Sequence, residues 1–360
     1  MDLKDSTTKA LLALAYIDEL SYKKKQTLLD SVDEPSVLPN EKSIVRKVLG
    51  EAQAEEFFKK YSDIDNIIAT LEGKGYHWLS YLDGDYPNAL REIEDRPIVL
   101  FVHGSVSALS SDCIGVVGSR RLSRYGEKVA EDFSREFARA GLTVVSGFAR
   151  GADCVAHKAC IANGSPTVAV FGCGLDVCYP AEHRGMIDGI IMNGGAIVSE
   201  YPLGTKPLQY HFPERNRIIS GMSRATFLAQ AAKKSGSLIT VRYAIEQGRD
   251  VFAVPGNIYA AENEGANELL REIPAALAIC PDDVLDALHV KRATVEKQAV
   301  ELSLSESQIV DALHDGELHF EDLLSVTELS VSELTNALFN LELNGLIQNT
   351  GGNYYSLAGM

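Results

Sequence analysis

Seven short, almost wholly apolar runs recur between residues 97 and 256: PIVLFVHG (97–104), IGVVG (114–118), LTVVSG (142–147), TVAVFG (167–172), AIVSEY (196–201), ATFLAQ (225–230) and DVFAVPG (250–256). A strand with one wet face alternates apolar and polar residues. These do not alternate, so both of their faces must be covered. Helical patterns such as YGEKVAEDFSREFARAG and GADCVAHKACIANG separate them. Strand followed by helix, repeated, predicts a parallel, doubly wound α/β sheet with helices on both faces.

The flanks follow other rules. Residues 1–75 predict a small helical module, of SAM or helix-hairpin-helix kind, punctuated by proline and glycine in EPSVLPN and EGKGY. Its first apolar run is interrupted by Asp18 and Glu19 and reads as an amphipathic helix, neither a secretion signal nor a membrane span. Residues 80–288 form the Rossmann-like domain and the polar stretch 289–302 a linker. Residues 303–360 then show three helices and a Gly-Gly turn between β-like segments, the pattern of a winged helix.

Six cysteines without a CxxC pair fit small apolar packing and a cytoplasmic setting better than a metal or redox role, Cys173 and Cys178 included. Net charge is −16, which taken alone argues against a nucleic acid. Its distribution says otherwise. Residues 1–114 carry −7, residues 115–260 carry +5 and residues 261–360 carry −14. The middle is basic, and the ends conceal it.

In an open parallel sheet, ligands bind beyond the carboxyl ends of the strands. The loops there hold Gly118, Ser119, Arg120 and Arg121; Gly147 and Arg150; and Lys233, Lys234, Ser235 and Gly236. Glycine lets the backbone come close to an anion, and a following helix presents free N–H groups. HFPERNR adds Phe212, Arg215, Asn216 and Arg217 at the start of another helix. Cations on several loops along one edge suit a polyanion. His157 reads as a packed residue and Asp153 as a helix cap, although Asp153 with Glu200 would also make an acid–base pair.

DGDYPNALREIEDRPIVLFVHG, VVGSRRLSRYG, SGFARGADCVAHKACIANG, FGCGLDVCYP, SEYPLG, FPERNRIISGMS, KSGSLIT and GRDVFAVPGN follow one another over roughly residues 80–285. In that order they resemble the DNA-processing protein A (DprA/Smf) family. The resemblance implies an extended Rossmann domain, flanked by a helical module and a winged helix. It implies a homodimer that binds single-stranded DNA and loads RecA recombinase onto it during natural transformation, with no cofactor and no metal. By position, Ser119, Arg120 and Arg150 would hold backbone phosphates and Phe212 would stack a base. Arg215, Asn216 and Arg217 would line the same pocket opposite Lys234, Ser235 and Gly236, Arg217 either touching DNA or bracing the wall. Two positions depart from the family pattern: Gln230 stands where a glutamate is expected, and Pro274-Ala275 where Gly-Ala is expected, on the face associated with dimerisation.

Two other functions fit the sequence less well. A phosphoribohydrolase-like enzyme acting on nucleotide monophosphates would need a glutamate beside its phosphate loop. Here the first carboxylate, Glu246, comes ten residues past Gly236, nearly three helical turns away. A winged-helix transcription regulator would need cations, yet no Lys or Arg occurs from Gln298 to the end, against ten Asp+Glu. That module is expected to contact protein, or the basic face of the Rossmann domain in competition with DNA.

Overall fold

Eight strands form one mixed sheet in the first of two compact units, residues 1–293 and 294–360. The structure, a computed structural model, describes residues 6–17, 20–273, 276–290, 302–343 and 346–357. Most of the expected linker and the Pro274-Ala275 pair lie outside those residues.

The strands are β1 (Tyr76–Ser80), β2 (Val99–Gly104), β3 (Cys113–Val117), β4 (Thr143–Ser146), β5 (Thr167–Val170), β6 (Ala196–Ser199), β7 (Ala225–Leu228) and β8 (Asp250–Ala253). They lie in the order β1-β2-β6-β5-β4-β3-β7-β8. From β6 to β8 all pairings are parallel. The expected parallel sheet needs one correction, because β2 runs antiparallel to β6 and β1 antiparallel to β2. A parallel strand must be reached by a crossover. The segment between β2 and β3 holds only the single turn Val106–Leu109 and no crossover helix, although β6, β5 and β4 lie between the two strands.

Successive residues of each parallel strand enter different apolar layers. Val168 and Val170 pack on one face of β5 with Leu100, Val145 and Val198. Ala169, between them, packs on the other with Phe101, Phe148 and Phe171. Both faces are dry, which is why the sequence shows unbroken apolar runs.

The N-terminal helices Ser6–Ala15, Tyr22–Leu29, Lys42–Leu49, Glu51–Ser62 and Ile64–Gly73 precede β1. They share a core with the sheet edge. Leu11, Leu14 and Phe57 join Trp78, Val99 and Phe101, and the Tyr16 ring meets Phe101 edge-on at 5.8 Å. The module is thereby continuous with the sheet.

The second unit has its own core of Ile309, Leu313, Leu323, Leu334, Leu338 and Leu341. Helices Leu304–Ala312, Phe320–Thr327 and Val331–Leu343 accompany a three-stranded sheet, β9 (Leu318–His319), β10 (Ile347–Gly351) and β11 (Tyr354–Leu357), in the order β10-β11-β9. Two S-x-x-E boxes start helices here. The Ser303 and Ser330 side chains accept from the backbone N–H groups of Glu306 and Glu333, whose carboxylates accept in return from the serine N–H groups at 2.8 and 3.0 Å. Those N–H and O–H donors hold both carboxyls below the usual range. No helix among the described residues is long and apolar enough to cross a membrane.

Candidate nucleic-acid interface

Strand order reverses at β3, with β4, β5 and β6 on one side and β7 and β8 on the other. At such a point adjacent loops diverge and leave a crevice. The loop after β3 occupies it, pinned on both sides. Ser119 N–H donates to Gln230 O at 2.8 Å, and Ala152 N–H donates to Ser119 O at 3.1 Å. Gly151 makes the second contact feasible: its φ is +74°, and a Cβ there would lie 2.2 Å from Ser119 O.

Beside this loop, on the β4–β5 side, lies a small pocket lined by Arg120, Gly147, Ala149, Arg150, Tyr179, Pro180, Phe212 and Arg215. Three cations and two rings converge. The Arg120 guanidinium lies over the Phe212 ring, 5.7 Å from its centroid, and the Tyr179 ring is 5.3 Å from that of Phe212. Arg120 is exposed and forms no ion pair among the described residues. Exposed Arg150 is held by Glu182, Nε to Oε1 at 2.5 Å, so any anion reaching Arg150 would compete with a carboxylate.

Arg215 belongs to the pocket wall. Only 3% exposed, it donates through Nη1 to Gly147 O at 2.5 Å and to Val170 O, and through Nε to Asn216 Oδ1 at 3.2 Å. Burial draws its guanidinium down to about 10, against the pull of nearby Asp153. Asp153, also buried, accepts from Ala149 N–H at 3.2 Å, and burial raises its carboxyl despite Arg215. Both side chains crowd Gly147: a Cβ there would meet Arg215 Nη2 at 2.5 Å and Asp153 Oδ2 at 2.6 Å.

Several expected placements are corrected by this geometry. Arg215 and Arg217 do not line the same pocket. Two residues apart on a helix, they point about 200° apart. Arg217 leaves the pocket, donates to both Glu200 oxygens at 2.8 and 2.7 Å, and has Asp95 at 3.2 Å. It braces the wall. Burial pushes the Glu200 carboxyl up, but the Arg217 charge and hydrogen bonds outweigh that and hold it low. Asp153 and Glu200 therefore make no acid–base pair, since each stands beside a different arginine. His157 is fully buried with Nδ1 2.8 Å from Thr167 Oγ1, and burial lowers it to about 3. It is a packed neutral residue.

Lys233, Lys234, Ser235 and Gly236 do not face Arg215. They follow β7, across the β3 loop from the pocket, where Lys233 pairs with Glu268 at 2.7 Å and Ser235 Oγ meets Ser237 Oγ at 2.8 Å. Exposed Lys234 has no ion-pair partner among the described residues. Ser119 also changes role. Its hydroxyl donates to Arg121 O at 2.7 Å and accepts from Arg121 N–H at 3.1 Å, so it shapes the loop that presents Arg120 and Arg121. Gly118 serves close packing, since a Cβ would lie 2.7 Å from that of Ala152.

Gln230, standing where a glutamate was expected, is a structural residue. Its Oε1 accepts from Ser123 N–H at 2.9 Å, and its Nε2 donates to Ser123 Oγ at 2.8 Å and Asn263 Oδ1 at 2.7 Å. Sequence reasoning missed Tyr179 and Glu182. The signal for Tyr179 was present, an aromatic beside a proline in a loop beyond β5. Cys173 and Cys178 are free thiols, and no metal-binding cluster occurs among the described residues.

A family model described as DNA recombination-mediator protein A matches residues 77–289, and one for the DprA winged-helix domain matches residues 293–353. The chain is 41% identical to protein Smf of Escherichia coli over 66% of its own length and 63% of that protein's. It is 42% identical to the DNA processing protein DprA of Streptococcus pneumoniae over 64% and 80%. The S. pneumoniae DprA crystal structure superposes with a TM-score of 0.66 at 36% identity, covering 79% of this chain and 98% of that one. DNA processing protein A of Helicobacter pylori, whose structure was described for its single-stranded DNA binding mode, superposes with a TM-score of 0.54 at 29% identity, over 59% and 95%. Both family models, the curated relatives and the superposed fold agree, and the chain is a member of the DNA recombination-mediator protein A (DprA/Smf) family.

Proposed function

We propose that this protein binds single-stranded DNA without reading its base sequence, and acts as a carrier of the strand, not as a nucleotide-handling enzyme. The observation that carries this is the meeting of Arg120, Arg150 and Arg215 with the Phe212 and Tyr179 rings in one pocket at the carboxyl edge of the sheet. Arginine presents planar donors that grip phosphate oxygens in pairs. Every base has a face that stacks on an aromatic ring, so the grip tolerates any sequence. The H. pylori relative supports the same reading. Arg120 is the phosphate contact, joined by Arg150 once Glu182 is displaced, while Arg215 sets the wall. Lys234 extends the basic edge on the other side of the crevice.

The strand is delivered to RecA in the cytoplasm during natural transformation, by a homodimer. An apolar surface suits the second copy: Ile258, Tyr259, Leu277 and Ile279 are exposed near the open edge of β8, where Leu277 bridges Ala253. The acidic winged helix contacts protein.

Fluorescence anisotropy of labelled oligo-dT, with AMP as competitor and across a salt series, tests the central reading. Five neutralised phosphates give a log–log salt slope of roughly −3.5 at about −0.7 each. Arg120→Ala should weaken binding without unfolding the protein. Weak binding to the strand with strong AMP competition would transfer the site to a nucleotide-handling enzyme.

A further inference from the structure

A second concavity adjoins the pocket. It is a cleft of about 1,290 Å³ between the N-terminal helices and the carboxyl edge of the sheet. One helix, His211–Gly221, serves both. Phe212 and Arg215 line the pocket, while Tyr210, His211, Glu214 and Arg217 line the cleft. Aromatic rings continue across the boundary: Tyr210 meets His211 at 4.6 Å and Tyr201 stacks on His211 at 4.0 Å, one residue from Phe212.

The charges in the cleft divide into two sets. Arg217 is neutralised by Glu200 and Asp95, and Glu214 accepts from the Tyr201 hydroxyl at 3.2 Å. Lys25, Lys60, Arg96 and Lys206 also line it, and none of them has a carboxylate within ion-pair distance among the described residues. Two lie on rings instead, Lys60 over Tyr16 at 5.5 Å and Arg96 over Tyr81 at 4.8 Å. Burial lowers the Lys25 ammonium while nearby Glu200 and Glu214 support its charge. Five cations against Asp95, Glu200 and Glu214 still leave the aromatic-edged groove net positive, which suits a polyanion. The volume exceeds the roughly 300–1,000 Å³ of pockets for compact ligands, which favours an extended chain over a mononucleotide.

We propose that the cleft is a second segment of the strand path: single-stranded DNA leaving the Arg120–Phe212 pocket passes the start of helix His211–Gly221 and lays its next phosphates against Lys25, Lys60, Arg96 and Lys206. This rests on the single-stranded DNA reading above. It gives the N-terminal helices a direct part in binding, because they supply Lys25 and Lys60.

The test compares Lys25→Gln/Lys206→Gln with wild type on two labelled probes, a short oligo-dT of about four nucleotides and a long one of about sixteen, the extremes of single-fold site sizes. On the long probe the double variant should bind several-fold more weakly, its salt slope shallower by about 1.4 for two lost phosphates. On the short probe, which fills the pocket alone, it should match wild type. Lys206→Gln alone, at an exposed position, should lose about 0.7 of slope and keeps the test valid if the double variant does not fold. An unchanged slope on the long probe, or an equal loss on both probes, overturns the path through the cleft. If the long probe weakens only in Arg120→Ala, the pocket stands and the cleft falls. If wild type binds neither probe, both readings fall together.

Discussion

Replacing Arg217 by methionine separates the two arginines that look interchangeable in ERNR. Arg217 is buried, bonded to both oxygens of Glu200 at 2.7–2.8 Å and close to Asp95 at 3.2 Å. Methionine would leave the Glu200 and Asp95 carboxylates without the arginine they share, with Lys25 only a more distant counter-charge to Glu200. Removing one partner of a buried ion pair costs about 3–5 kcal/mol, mostly from the stranded charge. With about 2–4 °C lost per kcal/mol in domains of 150–250 residues, the melting temperature should fall by about 6 °C or more. The pH dependence has a definite sign. Glu200 is held below its ordinary range when folded, so its contribution is present above that range and lost as pH falls through the lowered value. Protonation also relieves the stranded carboxylates of the variant. The gap between wild type and variant should therefore close below about pH 4. Urea denaturation at pH 7 and well below pH 4, at about pH 3, reads both effects, and Arg217→Met/Glu200→Met should recover much of the loss because it removes the uncompensated charge. Below its melting temperature the single variant should bind oligo-dT within a few-fold of wild type. A cost under 1 kcal/mol at pH 7, or a stable variant that no longer binds the strand, would refute the bracing role.

Gln230→Glu should destabilise the fold at neutral pH by about 1–3 kcal/mol, since the Nε2 bonds to Ser123 and Asn263 are lost in a buried site. Burial raises such a carboxyl, so the deficit should shrink in acid, and a variant as stable as wild type at pH 7 contradicts the account. Gly151→Ala should cost about 1–3 kcal/mol through its left-handed backbone and displace the loop that presents Arg120, weakening strand binding as well; unaltered binding and melting would count against it. Ser303→Ala should cost about 1 kcal/mol of helix capping in the C-terminal unit. In wild type, NMR titration should find Glu306 and Glu333 ionising below the ordinary glutamate range, their caps intact above that range and lost as pH falls through the lowered values.

Strands β2 to β8 were legible because burial on both faces leaves unbroken apolar runs. Their directions were less so: the residues of PIVLFVHG say that both faces are dry and nothing about which neighbour they meet. β1 went unseen because YHWLS is short and begins with an exposed half at an outer edge. Loop cations were found by type, but their employment depends on carboxylates distant in sequence. Glu182, Glu200 and Glu268 decide what Arg150, Arg217 and Lys233 are free to do, and no spacing rule links them. The helical turn did carry a usable signal, since residues 215 and 217 cannot share a face. The S-x-x-E starts of the C-terminal helices were local enough to be written in four residues each.

Helix His211–Gly221 is a wall shared by two chambers, and of its eleven residues only Glu214 is exposed. A segment used on every side has little freedom to vary. In a library of random substitutions selected for function, these positions should be nearly empty of survivors apart from Glu214. A one-residue deletion within ERNR should be more damaging than any single replacement, since a 100° turn would carry every following side chain off its face. The same sharing makes the helix a poor place for a tag, a label or an engineered crosslink, and a sensitive place to watch for a shift in its amide signals when either chamber fills.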